Sequence, residues 1–95
     1  MSLEELASKY ITSAEKVVKE MRKIKGPMTL NEEYVNKVLD HAKAYLDDAK
    51  YYKDKKRFEI SLTSIAYCEG LLDALKLLGA VKFEWPTRIE KESER

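Results

Sequence analysis

Glu69 and Asp73 stand one helical turn apart and form the only acidic pair in an otherwise apolar stretch. Two carboxylates at that spacing can pass a proton or hold a hard cation through oxygen. A di-metal site in a helical bundle asks for more, namely several carboxylates and usually Glu-x-x-His pairs on different helices. The one histidine, His41, follows Val38-Leu39-Asp40, so that pairing is missing. The acidic pair therefore reads as a charged flank in which Lys76 pairs with Asp73, and His41 as a structural or surface residue. Cys68 is the only cysteine and lies in an apolar run, which suits an inert buried thiol. A reactive cysteine needs a base and positive surroundings, and the sequence identifies neither. There is no glycine loop to cradle phosphate and no serine in a strained nucleophile turn. The expectation is a chain with no catalytic residue, no metal ligand and no cofactor.

Two basic clusters offer a different chemistry, Arg22-Lys23-Lys25 and Lys53-Lys55-Lys56-Arg57. The second lies beside Tyr51, Tyr52 and Phe58, a mixture that can contact phosphates and stack bases. The plainer reading is a solvated turn whose aromatic rings face the core. With 18 basic and 17 acidic side chains the net charge is +1, which argues against an obligatory nucleic-acid binder.

The elements that carry these residues follow from apolar spacing. Leu3, Ala7, Tyr10, Ala14, Val17, Met21 and Ile24 alternate steps of four and three, the mark of a helix with a coiled-coil-like seam. Ser2 and Glu5 have capping-box spacing, and Gly26-Pro27 should end this helix. Thr29 and Glu32 repeat the capping pattern before a second stripe of Val35, Val38, Ala42, Tyr45, Ala49 and Tyr52, flanked by Leu39 and Leu46. Asp54 reads as the turn residue and cap of a third helix, which Gly79 closes. The spacing thus predicts helices over about 2–25, 30–53 and 55–78. Short connections make sequential helices antiparallel, so residues 1–79 read as an all-α, up-down-up three-helix bundle. A tail follows over 80–95, in which Val81-Lys82-Phe83-Glu84-Trp85 alternates apolar and polar residues before a polar end expected to be frayed.

One feature of the third helix fits no plain bundle. Projected at 100° per residue, Ser61, Ser64, Ile65, Cys68, Leu72 and Leu75 face one way. Thr63, Ala66, Gly70 and Leu77 face nearly opposite, with Ala74 at their edge. That second face should meet water, yet it is small and apolar, and Gly70 costs about 1 kcal/mol against alanine inside a helix. Either a second copy or a protein partner docks there, or Val81, Phe83 and Trp85 fold back to cover it. The leading expectation is a non-enzymatic interaction or adaptor module using Thr63, Ala66, Gly70, Ala74 and Leu77. The alternative is a nucleotide- or RNA-associated accessory protein using Lys53, Lys55, Lys56 and Arg57.

Size and compartment complete the expectations. A single domain of 95 residues buries only about 60–65% of its unfolded surface, leaving little room for a deep substrate cavity. No signal pattern opens the chain and no apolar run approaches the roughly 20 residues a bilayer needs. A lone thiol without a disulfide partner suits a reducing cytoplasm.

The stretch Tyr45–Gly79 resembles an archaeal family, domain of unknown function 357. The telling parts are Asp48-Ala49-Lys50-Tyr51-Tyr52 and Ile65-Ala66-Tyr67-Cys68-Glu69-Gly70-Leu71-Leu72-Asp73-Ala74-Leu75. The resemblance implies a three-helix bundle and an archaeal cytosolic source, and it supplies no catalytic residues to carry over. A tetratricopeptide hairpin has a similar flavour, but its repeat of about 34 residues does not occur here.

Overall fold

The structure is a computed structural model that describes residues 2–86. The tail beyond Pro86, expected to fray, lies outside the described residues. The chain is all-α, with three helices: α1 (Leu3–Glu20), α2 (Glu32–Asp54) and α3 (Phe58–Leu77).

Local chemistry accounts for each end. Ser2 caps α1, its hydroxyl accepting from the Glu5 amide at 3.0 Å and donating to the Glu5 carboxylate at 3.3 Å. The helix stops at Glu20, before the expected glycine. Lys19, Arg22, Lys23 and Lys25 would repel at three- and four-residue spacings if the helix continued, and nothing packs there to offset it. Gly26, at φ +102°, bends the extended connection instead. Asn31, and not Thr29, caps α2 by accepting from the Tyr34 amide at 3.1 Å. Asparagine is the stronger cap, and two glutamates follow it in the first turn.

The α2–α3 turn also departs from expectation. Asp54 ends α2, and Arg57 occupies the cap position of α3 without a side-chain bond. Lys56 takes the left-handed conformation at φ +59°, donating its amide to Lys53 at 3.0 Å, while the Arg57 amide reaches Tyr52 at 2.8 Å. That pair of bonds is a Schellman closure with lysine where glycine is usual. Gly79 closes α3 the same way at φ +77°, with bonds from Gly79 to Lys76 and from Ala80 to Leu75.

α2 and α3 form an antiparallel hairpin. Tyr45 stacks on Tyr67 with ring centroids 4.2 Å apart, and the Ser61 hydroxyl donates to the Ala49 carbonyl at 2.7 Å, so one number falls as the other rises. Among the described residues the buried ones are Ala42 and Ala49 from α2 and Cys68 and Leu75 from α3, two pairs at heptad spacing. Alanines on one side let the helices approach closely. Val35, Val38, Leu39, Tyr45, Leu46, Ile65, Leu71 and Leu72 are half-buried around this seam.

α1 stands apart. Among the described residues, no Cα of α1 lies within 8 Å of one in α2 or α3. Its stripe, expected to face a core, is exposed along its length, with Leu3 at 81% and Val17 at 58%.

Two substitutions should move stability in opposite directions. Ala49→Leu forces the helices apart and should cost about 1–3 kcal/mol. Lys56→Gly relieves the left-handed backbone and should contribute about 0.5–1 kcal/mol. Thermal melting followed by circular dichroism should then show a fall for the first and a rise of about 2–8 °C for the second.

Candidate functional site

The outer face of α3 is where the chain leaves the most unusual surface. Helical periodicity sets Cys68 and Leu75 toward α2, which leaves Ala66, Gly70 and Leu77 pointing away from it. All five residues singled out on that face, Thr63, Ala66, Gly70, Ala74 and Leu77, are exposed, Leu77 at 88%. A Cβ added at Gly70 would meet no atom within 4 Å. Thr63 satisfies its hydroxyl internally by donating to the Glu59 carbonyl at 2.9 Å, so it presents mainly its methyl group outward.

The tail does fold back, but onto a neighbouring flank. Trp85 Nε1 donates to Asp73 Oδ1 at 2.6 Å, and Lys76 Nζ lies 3.4 Å from Glu84 Oε2 and 5.0 Å from the Phe83 ring centroid. Phe83 and Trp85 meet edge to face at 4.9 Å. Val81 and Phe83 are half-buried while Lys82 and Glu84 are exposed, so the alternation in the sequence is a real inside–outside pattern. Asp73 borders the outer face and Lys76 lies farther round, so among the described residues the tail leaves Ala66 and Gly70 open. The expected Asp73–Lys76 pair is replaced: Asp73 takes the indole and Lys76 takes Glu84. An exposed ion pair such as Lys76–Glu84 contributes at most about 1 kcal/mol; the indole bond and ring contacts therefore matter more.

The other chemical candidates fall out as follows. Glu69 is exposed, and among the described residues no group of three or more His, Cys, Asp or Glu side chains gathers. His41 Nδ1 donates to the Lys37 carbonyl at 2.9 Å from an exposed position. Cys68 is buried; desolvation pushes its thiol up, and the Glu69 carboxylate adds to that shift, so neutral thiol dominates at physiological pH. Lys53, Lys55, Lys56 and Arg57 gather in the exposed turn, where Lys55 Nζ sits 5.5 Å from the Tyr51 ring centroid. Tyr51 and Phe58 are exposed there, while Tyr52 is half-buried and meets Tyr51 edge to face at 5.1 Å. Arg22, Lys23 and Lys25 stand in the extended connection between α1 and α2.

Sequence reasoning missed two features. The exposed α1 stripe was legible as a stripe, but spacing does not say whether a stripe has a partner. The Trp85–Asp73 bond joins residues twelve apart across a helix end, and no periodic signal marks it. An outward carboxylate with an indole donor just past the helix was the available hint.

Because Trp85 is the only tryptophan, its fluorescence reports on the tail alone. Asp73→Ala should release the indole into water and move its emission to longer wavelength, with helicity unchanged by circular dichroism. An unmoved spectrum would show that the ring contacts hold the tail without that bond.

Among the described residues, no helix is long and apolar enough to cross a membrane. Comparison with curated proteins and with solved structures returns no match. A family model described as "Protein of unknown function (DUF357)" matches residues 9–81, which takes in most of α1 as well as the α2–α3 hairpin. The chain belongs to that family.

Proposed function

We propose that this protein is a non-enzymatic, cytoplasmic helical interaction module that self-associates or docks a protein partner through the outer face of α3. The observation that carries the reading is the open, small and apolar surface around Gly70, which the described residues of the tail leave uncovered. Small residues let a partner helix bring its backbone close, so that many weak dispersion contacts add up. Leu77 at one end supplies a larger apolar anchor of the kind that concentrates binding energy.

Gly70→Leu separates binding from folding. The added side chain meets open space, and losing a mid-helix glycine should stabilise α3 by roughly 0.5–1 kcal/mol. The same side chain blocks close approach. Light scattering after size exclusion should therefore show wild-type self-association lost in a variant that melts at a higher temperature. A wild-type chain that stays monomeric at high micromolar concentration and retains no partner would sink the proposal.

A second reading has one specific observation in its favour. Tyr51 and Phe58 are exposed beside Lys53, Lys55, Lys56 and Arg57, where the plainer reading put such rings in the core. That turn could contact a nucleotide or RNA as an accessory protein does. Such contact predicts heparin retention that falls steeply with salt and is weakened by Lys55→Ala/Arg57→Ala. Elution without salt dependence, or no retention, would remove this reading.

A further inference from the structure

We infer that α1 is a hinged lid: it swings on the connection over residues 21–31 and closes its apolar stripe over the open groove of its own α2–α3 hairpin.

The hairpin has two long grooves, and they differ. Lys76 and Tyr67, nine residues apart on α3, lie on opposite sides of the helix. The tail occupies the Lys76 side. The other side is lined by Val38, His41 and Tyr45 from α2 and by Tyr67, Leu71 and Leu78 from α3. Among the described residues, neither α1 nor the Phe83–Trp85 end of the tail covers it.

α1 carries the fitting stripe. Tyr10 and Val17, each more than half exposed, alternate along it with Ala7 and Ala14. Its 18 residues make a helix about 27 Å long, close to the roughly 30 Å of α3. The open position also leaves the molecule large for its length. The Cα radius of gyration is 16.5 Å, against about 12–13 Å for a compact chain of this size.

The stripe covers the same area on its own hairpin as on another copy's, so area does not choose between them. The tether does. Eleven residues span up to roughly 36–40 Å, enough to turn α1 back along the hairpin. A short flexible tether sets an effective concentration on the order of millimolar, about a thousandfold above a second copy supplied at micromolar. The connection also starts from the right end. Leu30 shares a surface dent with Leu78, which stands one heptad after Leu71 on the same side of α3.

Nothing on the connection opposes the swing. Among the described residues, the backbone of 22–30 makes no hydrogen bond that would fix one arrangement, and Gly26 already bends it at φ +102°. Closure covers Tyr67, Leu71 and Leu78 and leaves Ala66 and Gly70, which point away from α2, bare. The aromatic groove is then open to a partner only while the lid is swung out.

The test is small-angle X-ray scattering of the full chain, at a dilution where light scattering gives a monomer. Gly70→Leu supplies that monomer where the wild type associates through the α3 face. The radius of gyration should fall clearly below 16.5 Å, close to the compact value. Val17→Asp should return it toward 16.5 Å. In nitrogen-15-enriched chain the same substitution should move the Val38, Tyr67 and Leu71 amides and leave those of Asp73 and Lys76. A monomer that stays as extended as 16.5 Å would overturn the lid. Compaction seen only when chains dimerise would give the groove to a second copy and overturn it too. So would a compact monomer in which Val17→Asp leaves the Val38 and Leu71 amides in place. Each of these outcomes leaves the α3-face reading to its own test.

Discussion

The closeness with which α2 and α3 approach is the constraint on which the rest depends. Ala42 and Ala49 set it, because a helix can come near another only where its side chains are short. Cys68 and Leu75 then fill the space that remains, and Ser61 can reach the Ala49 carbonyl across the seam. A larger residue at either alanine would widen the gap, break that hydroxyl bond and separate Tyr45 from Tyr67. The same closeness limits what the hairpin gains. Four small or medium residues bury little apolar area, and at about 25 cal/mol per Å² they cannot supply the usual stability of a domain by themselves. The half-buried flanks therefore count, and so does whatever lies along them.

The two grooves of the hairpin answer this need differently. On one side Val81, Phe83 and Trp85 lie along α3, held by the indole bond to Asp73 and by Lys76 over the Phe83 ring. On the other, the Tyr45–Tyr67 stack marks a surface that the described residues leave open. α1 has an apolar stripe, and among the described residues no Cα of α1 lies within 8 Å of one in α2 or α3. The family match extends across both α1 and the hairpin.

Much of this was legible from residue types. Periods of three and four placed all three helices, Ser2 and Gly79 announced their caps, and the alternation from Val81 to Trp85 announced which tail residues turn inward. The misplaced ends share a physical reason: several cap signals competed within a few residues. Asn31 outranked Thr29, and a Schellman closure at Lys56 displaced the cap expected at Asp54, because backbone bonds closed the turn without a side-chain cap. The small apolar face of α3 was legible as a face, and its openness was not, because a one-dimensional pattern records which residues avoid water without recording what shields them. The α1 stripe carries the same ambiguity in a stronger form.

Charge narrows what can resolve that ambiguity. With 18 basic and 17 acidic side chains there is no strong field to steer an encounter or hold two partners at a distance. On the proposed reading, recognition on the α3 face comes from contact, and contact across Ala66, Gly70 and Ala74 is selective in shape: only a surface that can approach a helix backbone closely gains much from it. The aromatic groove would reward the opposite, a partner with bulky side chains to insert. One helix cannot readily satisfy both, since the two surfaces lie on different sides of α3. On the proposed reading, an assembly that used both surfaces would need at least two elements.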